Sequence, residues 1–428
     1  MNAKNYFFAF LVSASYVLGY NYPCADIHFS PYSGAENVMF LQQGLEKFDQ
    51  QIFSEPMVFS QYVEKSSSFE KLSDERQWQQ KLKSSLFWIP VGASCVVTQH
   101  EVFGHGYRIR DLGEQYAKVT GYRMYVVSGV TIFDAMDRLT TSQMLTIDIA
   151  GLEADSILSN RLKMKWLQDG KIDGRQFPMY SFASLSFFGY ATTVKKNPSS
   201  LEECWNDINS FLFFLNKTYQ DSHLGYTRVR NLSLLNFLDP FFWSSMLAQA
   251  VYTEYDMAMT VPMFRFGPIS YMPSMKIVLT PFGLQGYWEH FLVASGVPTY
   301  LYMKWGKHGE NIYYGFGVEN RKIFHGRFGS LGARLDVWHQ PRVLFEPGAL
   351  TVTQFSELPP NAPIPPLYSQ SLLTEKITGV ACSLISSYES TRLPILLFAE
   401  LGYKTDGYLP GEALRSSPIA RGGISGRF

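Results

Sequence analysis

Charge is scarce in this chain. Asp, Glu, Lys and Arg make up 17% of its 428 residues, against about a quarter in ordinary soluble domains. The 37 Lys and Arg balance the 37 Asp and Glu, so the basic excess of a nucleic-acid binder is missing. Cysteine is sparse too. Cys24, Cys95, Cys204 and Cys382 lie far apart, and without a C-x-x-C pair a cysteine zinc knuckle is excluded. An even count permits disulfides in an oxidising compartment, but the spacing gives no positive sign of them. Long apolar runs are absent beyond the N-terminus, where a spanning helix would need about 20 residues. Residues 84–106 come nearest, but they end in His100, Glu101 and His105, and residues 234–252 are broken by Asp239-Pro240.

What is present is aromatic and unevenly patterned. Phe, Trp and Tyr reach 16%. Lys4 precedes an apolar run from Tyr6 to Leu18, with small Gly19 after it. Residues 1–19 resemble a secretory signal peptide, which implies export. From residue 20 to about 255 the apolar positions recur mostly at helical spacing. From 256 to 428 the texture changes to short runs of β-branched and aromatic residues bounded by Gly, Pro and Asn. These predict antiparallel strands, with a Pro-rich loop at 356–367. The expected class is α+β, a mainly helical N-terminal half followed by an antiparallel β-barrel-like C-terminal half.

The chemistry is concentrated in "TQHEVFGHGYRIR", residues 98–110. Pro90 suits the start of its helix and Gly113 its end. The approach is apolar, so the helix is expected to be buried, and burying His100, Glu101 and His105 costs free energy unless they are paired or metal-bound. Zinc-binding histidines on a helix usually stand at i and i+4. Here they stand at i and i+5, and a regular helix would turn the second away by about 140°. A local π-bulge would restore the alignment. Gly104 and Gly106 flank His105 and make such a distortion easy. A second metal reading takes Glu101 and His105, which do have i, i+4 spacing, and would suit iron or manganese better.

A third ligand is expected from residues 140–167, a predicted helix that Thr140, Thr141 or Ser142 can cap. Glu153 lies in an apolar stripe and is the first candidate. Asp148 is the second, and Asp155 is placed behind a ligand.

"HEVFGH" resembles the His-Glu-x-x-Gly-His signature of the dipeptidyl peptidase III family, in which two His bind zinc and the Glu activates water. "GLEAD" resembles, in contracted form, the second-helix motif of the gluzincin zinc proteases. The resemblance implies a zincin-like helical half with His100, His105 and Glu153 as Zn2+ ligands and Glu101 as general base. His223 and Tyr107 are candidate donors to the oxyanion. Arg108 and Arg110 can pair structurally or meet a substrate carboxylate.

The strands after residue 256, the export signal and the terminal Phe428 together resemble a bacterial outer-membrane β-barrel. The reading that follows is a zinc metallopeptidase of the cell envelope. Its catalytic half would face the periplasm and its substrate would be a peptide or protein. The alternative is a non-catalytic outer-membrane protein for assembly, adhesion or transport, with a structural metal or none.

Overall fold

The computed structural model describes residues 24–428 apart from 27, 54–56, 59–71, 221, 327–328, 347, 349, 359–365, 390–394 and 427–428. The expected signal segment 1–19, Phe428 and positions 359–365 of the Pro-rich loop lie outside the described residues.

The helical half begins with a short strand, β1 (Cys24–Asp26), and α1 (Pro31–Phe53). Helix α2 (Asp74–Lys83) leads through a π-helical stretch, Ser84–Trp88, into α3 (Ile89–Thr98). A second π-helical stretch, Gln99–His105, continues without a break into α4 (Gly106–Leu112). Gly113 ends this rod at φ 94°, a backbone angle that glycine adopts without a Cβ clash. Helices α5 (Thr141–Asp148), α6 (Ala150–Asp169) and α7 (Phe177–Thr193) follow. The half closes with α8 (Asp207–Thr218), α9 (Tyr226–Ser233) and α10 (Pro240–Tyr255). Thr140 caps α5 in a capping box with Gln143, one of the three caps expected there. The single helix expected over 140–167 is divided at Ile149, whose backbone departs from helical values (ψ −10°).

A short strand β2 (Met57–Val58) pairs with β6 (Met257–Thr260), which also pairs with β5 (Lys171–Ile172). Strands β3 (Ala117–Met124) and β4 (Gly129–Ala135) form a separate hairpin beside the π-helical stretch.

The C-terminal half supplies β7 (Phe264–Phe266), β8 (Ile269–Thr280), β9 (Gly283–Ala294), β10 (Val297–His308) and β11 (Asn311–Gly326). It continues with β12 (Gly329–Pro341), β13 (Lys376–Glu389), β14 (Ile395–Lys404) and β15 (Ser417–Gly426). Together with β1 these make one antiparallel sheet in the order β1-β15-β14-β13-β12-β11-β10-β9-β8-β7. The alternation that predicted strands is therefore present.

The expected barrel is not. The sheet stays open, with β1 and β7 as its margins. Helices occupy the places where strand pairing would have closed it. On one side the Asn37 amide of α1 accepts from the Cys24 N–H and donates to the Cys24 carbonyl, both at 2.9 Å. On the other, Asn236 donates to the Ile277 carbonyl at 3.1 Å and accepts from its N–H at 2.7 Å. Each side chain substitutes for one peptide unit of a missing neighbour, so these edge groups are satisfied without closure.

Helix α10 ends at Tyr255 and strand β6 begins at Met257. Packing nevertheless crosses that point. Val343, Phe355, Leu367 and Leu414 join the same core as Leu145, Phe211 and Phe214. Helix α6 lies on the inner face of the sheet, where Lys163 reaches Glu289 at 3.0 Å and Asn160 reaches the Tyr300 hydroxyl at 3.0 Å. None of the described helices is long and apolar enough to cross a membrane. The four cysteines are all unpaired.

Candidate metal centre

The Gly106 N–H donates to the Glu101 carbonyl, an i to i−5 bond that widens the turn. The late histidine is thereby brought back over the first. The two imidazole centroids stand 4.9 Å apart.

Glycines permit the crossing that holds this turn. A Cβ on Gly104 would lie 2.7 Å from the Ala150 carbonyl oxygen, and one on Gly151 would lie 2.2 Å from His100 Nε2. Both are far inside van der Waals contact, so α6 meets the π-helical turn at a distance only glycine allows.

Each imidazole is anchored through Nδ1. His105 Nδ1 lies 2.8 Å from the Ile147 carbonyl. A carbonyl oxygen can only accept, so Nδ1 carries the hydrogen and the neutral ring presents a lone pair at Nε2. His100 Nδ1 lies 2.8 Å from Asp155 Oδ2 and donates to that carboxylate. Both Nε2 atoms then face Asp207, the first residue of α8. Asp207 Oδ2 is 3.0 Å from His100 Nε2 and 3.3 Å from His105 Nε2, and the two Nε2 atoms are 3.2 Å apart.

Three lone-pair donors thus converge, two from the π-helical stretch and one from the start of α8. Tetrahedral zinc with bonds of about 2.0–2.1 Å places its ligand atoms about 3.3 Å apart, so the set fits such an ion. The carboxylate behind His100 and the carbonyl behind His105 are the outer partners that metal-binding imidazoles usually have.

The electrostatics point the same way. Burial pushes the His100 imidazole down, but Tyr190, Asp155 and Asp207 outweigh it and hold it well above the usual histidine range. Burial opposes protonation of His105 too, and Asp207 overcomes it. Burial acts to raise Asp207, while both histidines hold it well below the usual carboxylate range. A cluster that draws protons so strongly offers the same stabilisation to a divalent cation. Burial pushes the nearby Asp148 carboxyl well above the usual carboxylate range.

The expected ligand set is therefore corrected at one place. His100 and His105 meet; Glu153 does not join them. Its carboxylate accepts from Arg108 Nη2 at 2.9 Å, the Tyr408 hydroxyl at 2.7 Å and the Gly411 N–H. The cation that a buried carboxylate demands is the guanidinium of Arg108, which is fully buried and also bonds Asp111 at 2.8 Å. Asp207 takes the third position. Its only local signal is that of an acid in a first helical turn after the capping Asn206, which any helix N-terminus would explain.

Asp155 stands behind His100, on the side away from Asp207. Arg110 is held by the Tyr122 hydroxyl and two backbone carbonyls.

Glu101 is buried, on the same turn as the histidines. Its Oε2 accepts from the Thr131 hydroxyl of β4 at 2.7 Å. Glu101 is not one of the three residues, His100, His105 and Asp207, whose donor atoms come together. His223, expected as an oxyanion donor, is instead exposed on the loop before α9, with Nε2 2.9 Å from the Asn197 amide. Tyr190 was not singled out by the sequence. Its ring stacks on His100 at 5.2 Å and 8°, and its hydroxyl lies 3.2 Å from His100 Nε2.

No protein-family model matches the chain, and no curated protein or solved structure matches it either.

Proposed function

We propose that the protein is a zinc-dependent hydrolase, with His100, His105 and Asp207 as ligands. One observation carries the reading: two buried imidazole nitrogens and a carboxylate oxygen of half-buried Asp207 meet within 3.3 Å of one another, the spacing of ligand atoms around a tetrahedral zinc ion. A bound zinc supplies a polarised water of lowered pKa and an electrophile for a carbonyl oxygen. Glu101 is the general base. Its Oε2 is fixed by the Thr131 hydroxyl. Tyr190 is the donor toward an oxyanion, in the role expected of His223. The peptide bond as substrate rests on the resemblance of "HEVFGH" to a peptidase signature.

A second reading is a structural metal, favoured by the low exposure of the two histidine side chains, 5% and 10%. Hydrolysis of a peptide library by zinc-loaded wild type and Glu101→Gln separates the two. The enzyme reading expects Glu101→Gln to keep its zinc and lose turnover by at least about 100-fold. Equal turnover in both proteins, or none in the loaded wild type, would leave the structural reading.

A further inference from the structure

The C-terminal sheet has its charges on the wrong face for a layer bathed in water. Strand register puts Glu289, Lys304, Glu319, Arg334, Asp336 and Arg421 inside, all buried. Lys304 Nζ stands over the Tyr287 ring at 6.0 Å, and the others form ion pairs or hydrogen bonds. Arg334 meets Glu412 at 2.8 Å and Arg421 meets Glu400 at 2.9 Å, while Arg161 of α6 pairs with Glu319.

The outward rows are the reverse. Trp288, Met303, Phe316, Val337 and Val380 are cross-strand partners over five strands. Leu301, Val318, Leu335, Cys382 and Tyr403 form a second row, also across five strands. Neither row contains a charged residue, and their members include Trp288 at 62% and Met303 at 52% exposure. Trp305 and Tyr314 form a further pair, and Lys307 and Lys376 stand beyond them at strand ends.

We propose that this outward face is seated in the acyl region of a lipid bilayer, with the aromatic pair and the lysines at its margin. Polar inside and apolar outside is the pattern a sheet shows when its solvent is hydrocarbon. Strands β8–β15 are 10–16 residues long, enough for the about 9–11 that a tilted membrane strand needs. Lipid also fits better than a protein partner. The inner side chains of β8, β9, β10 and β11 all reach α6, through Ser274, Glu289, Tyr300 and Glu319. Arg334 of β12 and Arg421 of β15 both stack on Tyr32, at 4.6 and 4.5 Å. The sheet is wrapped round a common centre, so its apolar face looks in several directions. One rigid partner covers a single direction; lipid covers them all. The Asn37 amide pairs with Cys24 on the β1 margin, and the Asn236 amide pairs with Ile277 on the part of β8 that β7 does not reach. The inference does not depend on the metal centre.

The native Cys382 reports on this face, because Cys24 and Cys95 are buried. In the full chain carrying Cys204→Ser, a nitroxide on Cys382 is compared with one on Lys118→Cys, an exposed position of β3. The carrier is phosphatidylethanolamine/phosphatidylglycerol vesicles. We expect oxygen to relax the Cys382 label at least threefold more than a water-soluble nickel chelate does, and the Lys118→Cys label to show the opposite order. Nickel access at Cys382 equal to that at the control would overturn the proposal. So would a detergent-free oligomer that leaves the vesicles unbound and shields Cys382 from both relaxants, which would assign the face to a second copy.

Discussion

His100 Nε2 and His105 Nε2 stand 3.2 Å apart, each with its Nδ1 tied to an acceptor behind it. Neither ring can turn to give the other a hydrogen without losing that anchor. The pair is therefore set for a shared cation, and its proton affinity competes with the metal. Both imidazoles are raised above the ordinary histidine range, so zinc must displace protons as pH falls. Calorimetric titration with zinc at pH 8, 7 and 6 should show affinity dropping by more than tenfold over that range. A pH-independent affinity would argue against imidazole ligation.

Asp155 fixes the His100 tautomer from 2.8 Å away. Asp155→Asn keeps the shape and offers a poorer acceptor. Losses of about 10–100-fold in zinc affinity are usual when such a partner is removed, and that is the expected result in a competition assay with a chromophoric chelator. Far-ultraviolet dichroism should stay unchanged.

Gly151 is where the site is most sensitive to volume. A methyl group there would overlap the His100 ring at 2.2–2.4 Å, and α6 cannot retreat without opening the contact at Gly104. We expect Gly151→Ala to abolish zinc binding and destabilise the fold by about 1–3 kcal/mol. Gly189→Ala on α7, where a Cβ meets nothing within 4 Å, should leave both unchanged.

Glu46 of α1 makes stability depend on pH. Burial and the nearby Asp173 push its carboxyl up to about 7, from 4.5 for the free group. Its folded form therefore holds a proton that the unfolded chain releases earlier. The resulting stabilisation is complete below about pH 4.5 and is lost as pH rises through 7. Glu46→Gln should be more stable than wild type at pH 8 by about 1–3 kcal/mol, and the gain should vanish near pH 4.5. Urea unfolding at the two pH values checks both statements.

Much of the site was legible in the sequence because it is local. His100, Glu101 and His105 fall within six positions, and the flanking glycines announce the widened turn that the backbone adopts. Asp207 was not legible. It arrives from 102 positions beyond His105, in a helix start that explains itself. Glu153 misled for a physical reason. A buried carboxylate needs a cation, and sequence distance does not say whether that cation is a metal or the guanidinium of Arg108, 45 positions earlier. The strands were visible from their alternation, which is a short-range property. Closure is a long-range one, and the contacts that Asn37 and Asn236 make with edge strands come from side chains that look like any other helix or turn residue in the sequence.

The account rests most heavily on the third ligand. Zinc content should be measured in purified wild type, Asp207→Ala and Glu153→Gln after equilibration with equimolar zinc and gel filtration. We expect about one zinc per chain in the wild type and in Glu153→Gln, and about 0.1 or less in Asp207→Ala. Zinc retained by Asp207→Ala and lost from Glu153→Gln would contradict the centre described here.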